Sequence, residues 1–366
     1  MQIDLSGEDP DPKLLPSEEV EKILCELFSD KEKNLLQVDK KEWIEAFRKE
    51  IAKFLQNRGF VIGEDELLIT NGVKEGIYLL SDLFSQNSIG SEEPTSPDFI
   101  STMNFRGIRT QPVPWDEEGL MTEVLEKRLK ALKIWADPIK YLYVTTVNNP
   151  TGLIMTGERK KTLLEIATDF DLTIVEDDTY GSLTYDITPQ PSLKSLDKED
   201  RVIYVSSLSK LIFPGIRLGV LVAQGENLKK LISLKKEINR RNSSLDQLVF
   251  NEMLRRGIVE SLMEKSRLLY RRKRDLVFEN IVEHFPSYVS CIKAKGGLSA
   301  FCRGERPLPL KELDIKVDLG EKFFFSPDRG SNSFRLSFSR VGEDEVGSAI
   351  RELGEAIRAL ERTFRY

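Results

Sequence analysis

Apolar and polar positions follow three different periods along the chain. After a proline-rich start, "SEEVEKILCELFSD" at 17–30 predicts an amphipathic helix with Ser17 as candidate N-cap. Trp43, Phe47, Ile51 and Phe54 then share one helical face in "WIEAFRKEIAKFLQNRG", which stops at a glycine. From residue 67 onward the period changes to short unbroken apolar runs: "ELLIT", "YLYVTTV", "LTIVE", "VIYVSS" and "GVLVA". Helical segments such as "ERKKTLLEIATDF" separate them. Continuous Val, Ile, Leu and Tyr between crossover-length helices predict a parallel sheet covered on both faces. Beyond residue 226 long charged helices lead to "AKGGLSAFCRG", "KFFFSP" and "SFRLSFS", expected as short strands of an α+β second domain. "EDEVGSAIRELGEAIRALER" closes the chain as a helix.

In open α/β sheets ligands gather beyond the carboxyl ends of the strands, so the residues after each run carry the chemical information. "LLIT" is followed by "NGVKEGIYLL", where Gly72 opens a helix; this is either a tight turn or a place where free N–H groups hold an anion. "YLYVTTV" is followed by "NNPTG", where Pro150 keeps Asn149 extended, as a turn or as an aimed amide. "LTIV" is followed by "EDDTY", three acids that burial makes costly unless at least one meets a cation or water. Asp177 and Tyr180 are spaced to reach a common ligand. "VIYV" is followed by "SSLSK" and, seven residues on, Arg217. Ser207, Ser209 and Arg217 are donors suited to a phosphate, and Lys210 carries an amine able to form a Schiff base.

Composition narrows the classes. A chain of 366 residues, 40% hydrophobic, is long enough for a sizeable core and two domains. With 54 Lys and Arg most cations must be solvated, so Lys210 gains meaning only from its company. The net charge of −6 gives no reason to expect nucleic acid. The basic cluster "RLLYRRKRD" at 267–275 is expected to be a solvated helix face or a partner contact. Cys25, Cys291 and Cys302 form no CxxC pair and leave an odd count, which argues against a disulfide framework or a zinc site. A single histidine, His284, excludes His-rich metal sites and is expected to pack or face solvent. No apolar run has membrane-spanning length, and the acidic "MQIDLSGEDPDP" lacks a signal-peptide core, so a cytoplasmic location is expected.

An anion cradle, a carboxylate for a ring nitrogen, an amide and a phenol for a ring hydroxyl, and an amine for an aldehyde match the functional groups of pyridoxal 5'-phosphate. "NNPTG", "EDDTY" and "SLSK" with Arg217, in this order, resemble the class I and II aminotransferases of the fold-type I pyridoxal-phosphate enzymes. The resemblance runs from "SGEDPDPKLLP" to "FRLSFS" and is nearest the kynurenine/2-aminoadipate aminotransferases and the aminotransferase-like domains of MocR-type regulators. It implies a large domain, 39–245, with a mainly parallel seven-stranded sheet between helices, and a small α+β domain, 246–366. An arm, 1–38, would pack with the small domain.

By the same resemblance Lys210 would form the Schiff base and shuttle the proton, and Asp177 would keep the pyridine nitrogen protonated. Asn149 and Tyr180 would bond the ring oxygen. Ser207, Ser209, Arg217 and the backbone at Gly72 and Val73 would hold the phosphate. Arg335 would grip the substrate α-carboxylate, with Asn149 beside it. The implied activity is transfer of an amino group from an L-amino acid to a 2-oxo acid by a homodimer. A pyridoxal-phosphate lyase or decarboxylase shares the early chemistry and stays open. A sensor domain without useful turnover stays open too, although no helix-turn-helix precedes the fold.

Several positions depart from the family pattern. Ser96 stands where an aromatic ring would stack on the cofactor, which should weaken binding by about 1 kcal/mol. Val38 stands where a tyrosine from a neighbouring subunit would reach the phosphate. Val73 replaces a phosphate-binding serine and leaves only backbone donors. Glu8 replaces a glycine near the substrate; if it enters the pocket it disfavours acidic substrate side chains by like-charge repulsion.

Overall fold

The computed structural model describes residues 3–30, 41–85, 88–134, 139–186, 190–239, 241–306, 308, 310–312 and 315–363. Val38 therefore lies outside the described residues. Strand β1 (Asp4–Leu5) is followed by helices α1 (Ser17–Ser29) and α2 (Lys41–Leu55). The alternation then runs β2 (Leu67–Thr70), α3 (Val73–Phe84), β3 (Ser88–Glu93), α4 (Pro97–Arg106), β4 (Thr110–Asp116), β5 (Gly119–Leu120) and α5 (Thr122–Ile134). It continues through β6 (Ile139–Thr145), α6 (Gly157–Asp169), β7 (Thr173–Asp177), α7 (Leu193–Leu196), β8 (Val202–Ser207) and β9 (Gly219–Val222). Helices α8 (Gly225–Ile238), α9 (Ser244–Arg255) and α10 (Ile258–His284) lead to β10 (Val289–Ile292), β11 (Ser299–Gly304), β12 (Lys316–Leu319), β13 (Ser333–Ser337) and α11 (Val346–Thr363).

The first sheet has the order β2-β9-β8-β7-β6-β3-β4-β5. Five strands, β3, β4, β6, β7 and β8, are parallel, while β9 runs antiparallel to both β2 and β8. Seven of its strands match the expected number; the eighth, β5, is a two-residue hairpin return on β4. Strand alternation sends Tyr143, Val175 and Val205 to one face, against Ile77, Leu80 and Phe84 of α3. Leu142, Val144 and Ile174 go to the other, against Leu163 and Ala167 of α6. Each such buried aliphatic side chain contributes about 1.5–3 kcal/mol. With both faces sealed, polar groups are confined to the strand ends, and the parallel register sets Thr145 beside Asp177 and Asp177 beside Val205.

The second sheet has the order β1-β12-β13-β11-β10, with β1 parallel to β12 and the remaining pairs antiparallel. Here the structure corrects the sequence reading. "KFFFSP" is not a strand: the chain turns at Gly320–Phe323 in a short 3-10 helix, and β12 precedes it. Gly320 lies so close to Gly330 that a Cβ would overlap the carbonyl oxygen of that residue. The aromatic run serves two partners, Phe323 edge-on to Phe301 and Phe325 edge-on to Phe99. At α1 the helix begins at Ser17 itself, with Pro16 in the cap position.

The basic cluster on α10 is half internal. Lys273 is fully buried, donating to Asp11 at 2.5 Å and to the Ser339 carbonyl at 2.8 Å. Arg274 pairs with Asp186 at 2.5 Å and donates to the Ala294 carbonyl at 3.0 Å. Tyr270 accepts the Asp11 N–H at 2.8 Å. The α10 face is therefore a clamp on the N-terminal arm, built with partners far away in sequence. Arg272 fits the expected surface role, pairing with Glu343.

A second correction concerns the cysteines. Cys291 and Cys302 are register partners in β10 and β11 and form a disulfide, leaving Cys25 free and exposed. The odd count hid a pair that only the antiparallel register makes adjacent. Among the described residues no helix is long and apolar enough to cross a membrane. Thiol titration of the denatured, unreduced protein should count one reactive thiol per chain; three would show that the bridge does not form.

Candidate active site

Lys210 sits in the one-turn 3-10 helix Ser209–Leu211 directly after β8. Two serines shape that turn. Ser207 Oγ accepts the Lys210 N–H at 3.4 Å, and Ser209 Oγ both donates to the Leu218 carbonyl at 3.2 Å and accepts its N–H at 3.1 Å. Lys210 Nζ, half-buried, donates to the backbone carbonyl of Glu8 at 3.0 Å.

Asp177 ends β7, the strand between those of Tyr143 and Lys210. Its Oδ2 accepts the Tyr143 hydroxyl at 2.7 Å and its Oδ1 the Thr179 N–H at 3.0 Å. Burial pushes the Asp177 carboxyl above its ordinary range, opposed by these hydrogen bonds. The three acids have separate fates. Asp178 pairs with Arg58 through Nε at 2.6 Å and Nη2 at 3.0 Å and accepts the Tyr204 hydroxyl at 2.7 Å. Glu176 caps α7 by accepting the N–H groups of Leu193 and Lys194. Asp177 alone of the three lines the small cleft beyond the strand ends.

Glu8, Val73, Ser96, Asn149, Tyr180 and Lys210 also line this cleft. Tyr180 is buried, and its phenol is pushed well above its usual range first by burial and then by the charge of Glu8. Arg335 lies behind Asn149 and Glu8. Its Nη1 donates to Asn149 Oδ1 at 2.9 Å and meets Glu8 Oε2 at 2.7 Å; its Nη2 meets Asp318 Oδ2 at 2.7 Å. Burial would lower the Arg335 pKa, but Glu8 and Asp318 raise it.

At another strand end Gly72 caps α3 at φ +79°. That φ is what calls for glycine, and a Cβ there would also come 2.9 Å from Nη2 of Arg217. Arg217 is exposed, in the left-handed region at φ 46°, and reaches the Asn71 carbonyl at 3.5 Å. Ser209 differs from its companions: its hydroxyl is engaged by Leu218, so it shapes the loop rather than presenting a free donor.

The sequence reading missed Tyr143, Asp318 and Glu92. A tyrosine inside a strand buried on both faces must find a partner for its hydroxyl, which was a usable signal for Tyr143. Asp318 is the β12 register partner of Arg335, which no local pattern reveals. Glu92, in β3, is wholly buried behind the cleft. It meets the Thr145 hydroxyl at 2.5 Å, the Trp115 indole at 2.8 Å and the Asn148 amide at 3.1 Å.

Comparison with known proteins adds to this geometry. Residues 9–353 match the family described as aminotransferase class I and II. An uncharacterized aminotransferase of Saccharolobus solfataricus is 31% identical over 366 aligned residues, 97% of this chain and 91% of its own length. The crystal structure of kynurenine aminotransferase from Pyrococcus horikoshii, in complex with PMP, superposes with a TM-score of 0.91 at 30% identity, covering 98% of this chain and 91% of that one. The alpha-aminoadipate aminotransferase of Thermus thermophilus, complexed with N-(5'-phosphopyridoxyl)-L-leucine, superposes with a TM-score of 0.89 at 27% identity, covering 99% and 93%.

Burial pushes Glu92 up to about 8 from an ordinary 4.5, against its hydrogen bonds. Between those values the folded chain holds a proton that the unfolded chain has released, so the stability of the cofactor-free protein falls as pH rises through the window. Glu92→Gln removes this slope. Denaturant unfolding at pH 5, 6.5 and 8 should show the variant gaining on the parent by up to about 1.4 kcal/mol per pH unit; a difference independent of pH would count against a protonated Glu92.

Proposed function

This chain belongs to the class I and II aminotransferase family, and from that premise we propose that Lys210 is the covalent anchor of its pyridoxal phosphate. The protein is a pyridoxal-phosphate-dependent aminotransferase acting on amino acid and 2-oxo acid substrates. One observation carries the residue assignment. An amine from the turn after β8 and the buried carboxylate that ends β7 line one cleft at the strand ends, and a guanidinium from β13 backs it through Asn149.

The residues fit the cofactor. Asp177 is a buried carboxylate with only neutral donors among its hydrogen-bond partners, raised by burial, so a protonated ring nitrogen would relieve it. Gly72 leaves a cradle that a Cβ would fill, beside Arg217 and the first N–H groups of a twelve-residue helix. Gly72, Val73, Ser207 and Arg217 would hold the phosphate, with Ser209 keeping the loop in shape. Asn149 and Tyr180 would hold the ring oxygen.

When bound, pyridoxal phosphate supplies an electron-withdrawing ring that draws charge from the substrate Cα. Arg335, flanked by Asp318 and stacked on the Phe323 ring at 4.9 Å, orients the substrate carboxylate. Lys210 Nζ, once the substrate amine has released it, would take the proton from Cα, and the turn that Ser207 and Ser209 shape after β8 keeps the amine aligned. Tyr180, held neutral by burial, offers a hydroxyl donor.

The same reading includes an arm at 1–38, a large domain at 39–245 and a small domain at 246–366. It also includes a homodimer in the cytoplasm, which sedimentation at twice the 41.9 kDa chain mass would support.

The direct test is the visible spectrum of the protein with pyridoxal phosphate, followed by titration with amino acids. The parent should show a cofactor band that shifts with an amino acid donor. Lys210→Ala should lose the covalent band and about 10²–10⁴-fold in transfer rate. Arg335→Gln should keep the band and raise KM for amino acid and oxo acid together, by about 10–100-fold. An unchanged band in Lys210→Ala would sink the assignment.

A further inference from the structure

Glu8 already occupies the position on Arg335 that the proposed function gives to the substrate. Its Oε2 lies 2.7 Å from Arg335 Nη1 and accepts Asn149 Nδ2 at 3.2 Å. The Tyr180 phenol lines the same cleft and feels the charge of the same side chain. A cationic nitrogen, an amide N–H and a phenol are together a receptor for a carboxylate. The receptor is filled from within the chain.

The other contacts of Arg335 are fixed. Asp318 holds Nη2 at 2.7 Å and is itself held by the Gly7 N–H at 2.9 Å and by Lys322 at 3.0 Å. Phe323 covers the guanidinium plane. Asp318 belongs to a strand and cannot leave, whereas Glu8 lies between β1 and the clamped Asp11 in a stretch with no helix or strand. Glu8 and Asp318 already balance the charges of Arg335 and Lys322, so a third carboxylate would bring uncompensated negative charge unless one departs.

We propose that Glu8 is an internal ligand of the carboxylate fork, which every substrate carboxylate must displace, and that it sets the affinity of the site for such groups. This rests on the reading of Arg335 as the fork. Displacement exchanges like for like: the incoming carboxylate inherits the donors of Arg335 and Asn149. A neutral group of the same shape cannot make that exchange. Apparent affinity is reduced by the fraction of molecules in which the fork is open. The contact from Lys210 goes to the backbone carbonyl of Glu8, so substituting the side chain alters the fork and leaves that contact available.

The test uses the pyridoxal-phosphate-loaded protein and a carboxylate that lacks an amino group, 3-phenylpropionate, with 3-phenylpropanamide as the neutral control. Calorimetric titration is run on the parent, Glu8→Gln, Glu8→Gly, Arg335→Gln and the double variant Glu8→Gly/Arg335→Gln. The acid should bind about tenfold more tightly to both Glu8 variants than to the parent, as for a fork open in about one molecule in ten. The amide should bind all equally. Equal or weaker binding of the acid to the Glu8 variants overturns the proposal while leaving the fork intact. If Arg335→Gln fails to weaken the acid in the Glu8→Gly background, the fork itself is misassigned.

Discussion

A parallel sheet sealed on both faces has nowhere to put polar groups except at the ends of its strands, and the placing of Asp177 and Lys210 depends on that constraint. Tyr143, Val175 and Val205 fill one face and Leu142, Val144 and Ile174 the other. Adjacent strands therefore deliver Asp177 and Lys210 to the same end of the sheet. The constraint also explains why Asp177 can be buried. Its neighbour strand supplies a tyrosine hydroxyl, and the turn after its own strand supplies an N–H.

Much of this was legible in the sequence, because strand ends are local features. Unbroken apolar runs located the strands, and the residues after them located Asn149, Asp177, Tyr180 and Lys210. The partners were not legible, because they come from elsewhere in the chain. Arg58 neutralises Asp178 across 120 residues, Asp318 flanks Arg335 from the next strand, and Asp11 reaches Lys273 across 262 residues. The basic cluster on α10 illustrates the difficulty. Its composition is that of a solvated face, yet two of its cations turn inward because Asp11 of the arm, Asp186 beyond β7 and carbonyls that follow β10 and β13 await them.

Glu8 shows how a departure from a family pattern gains meaning from coordinates. In the sequence it was an acid where a glycine is usual, with an expected effect on substrate side chains. In the structure its charge lies on the guanidinium that would read the α-carboxylate. The arm that carries it is fixed at β1 on one side and at Asp11 on the other, so the segment between is short, tethered and near both Lys210 and Arg335. An element outside the large sheet thus helps to complete its binding surface.

The second sheet has two borders, and both are protected. At one, the two residues of β1 pair with β12; at the other, β10 is stapled to β11 by Cys291 and Cys302. A border strand that peels away uncovers a row of unpaired amides ready to accept a strand from another molecule. The covalent staple keeps β10 in place during thermal fluctuation, so it guards against the strand-by-strand association by which partly opened sheets aggregate.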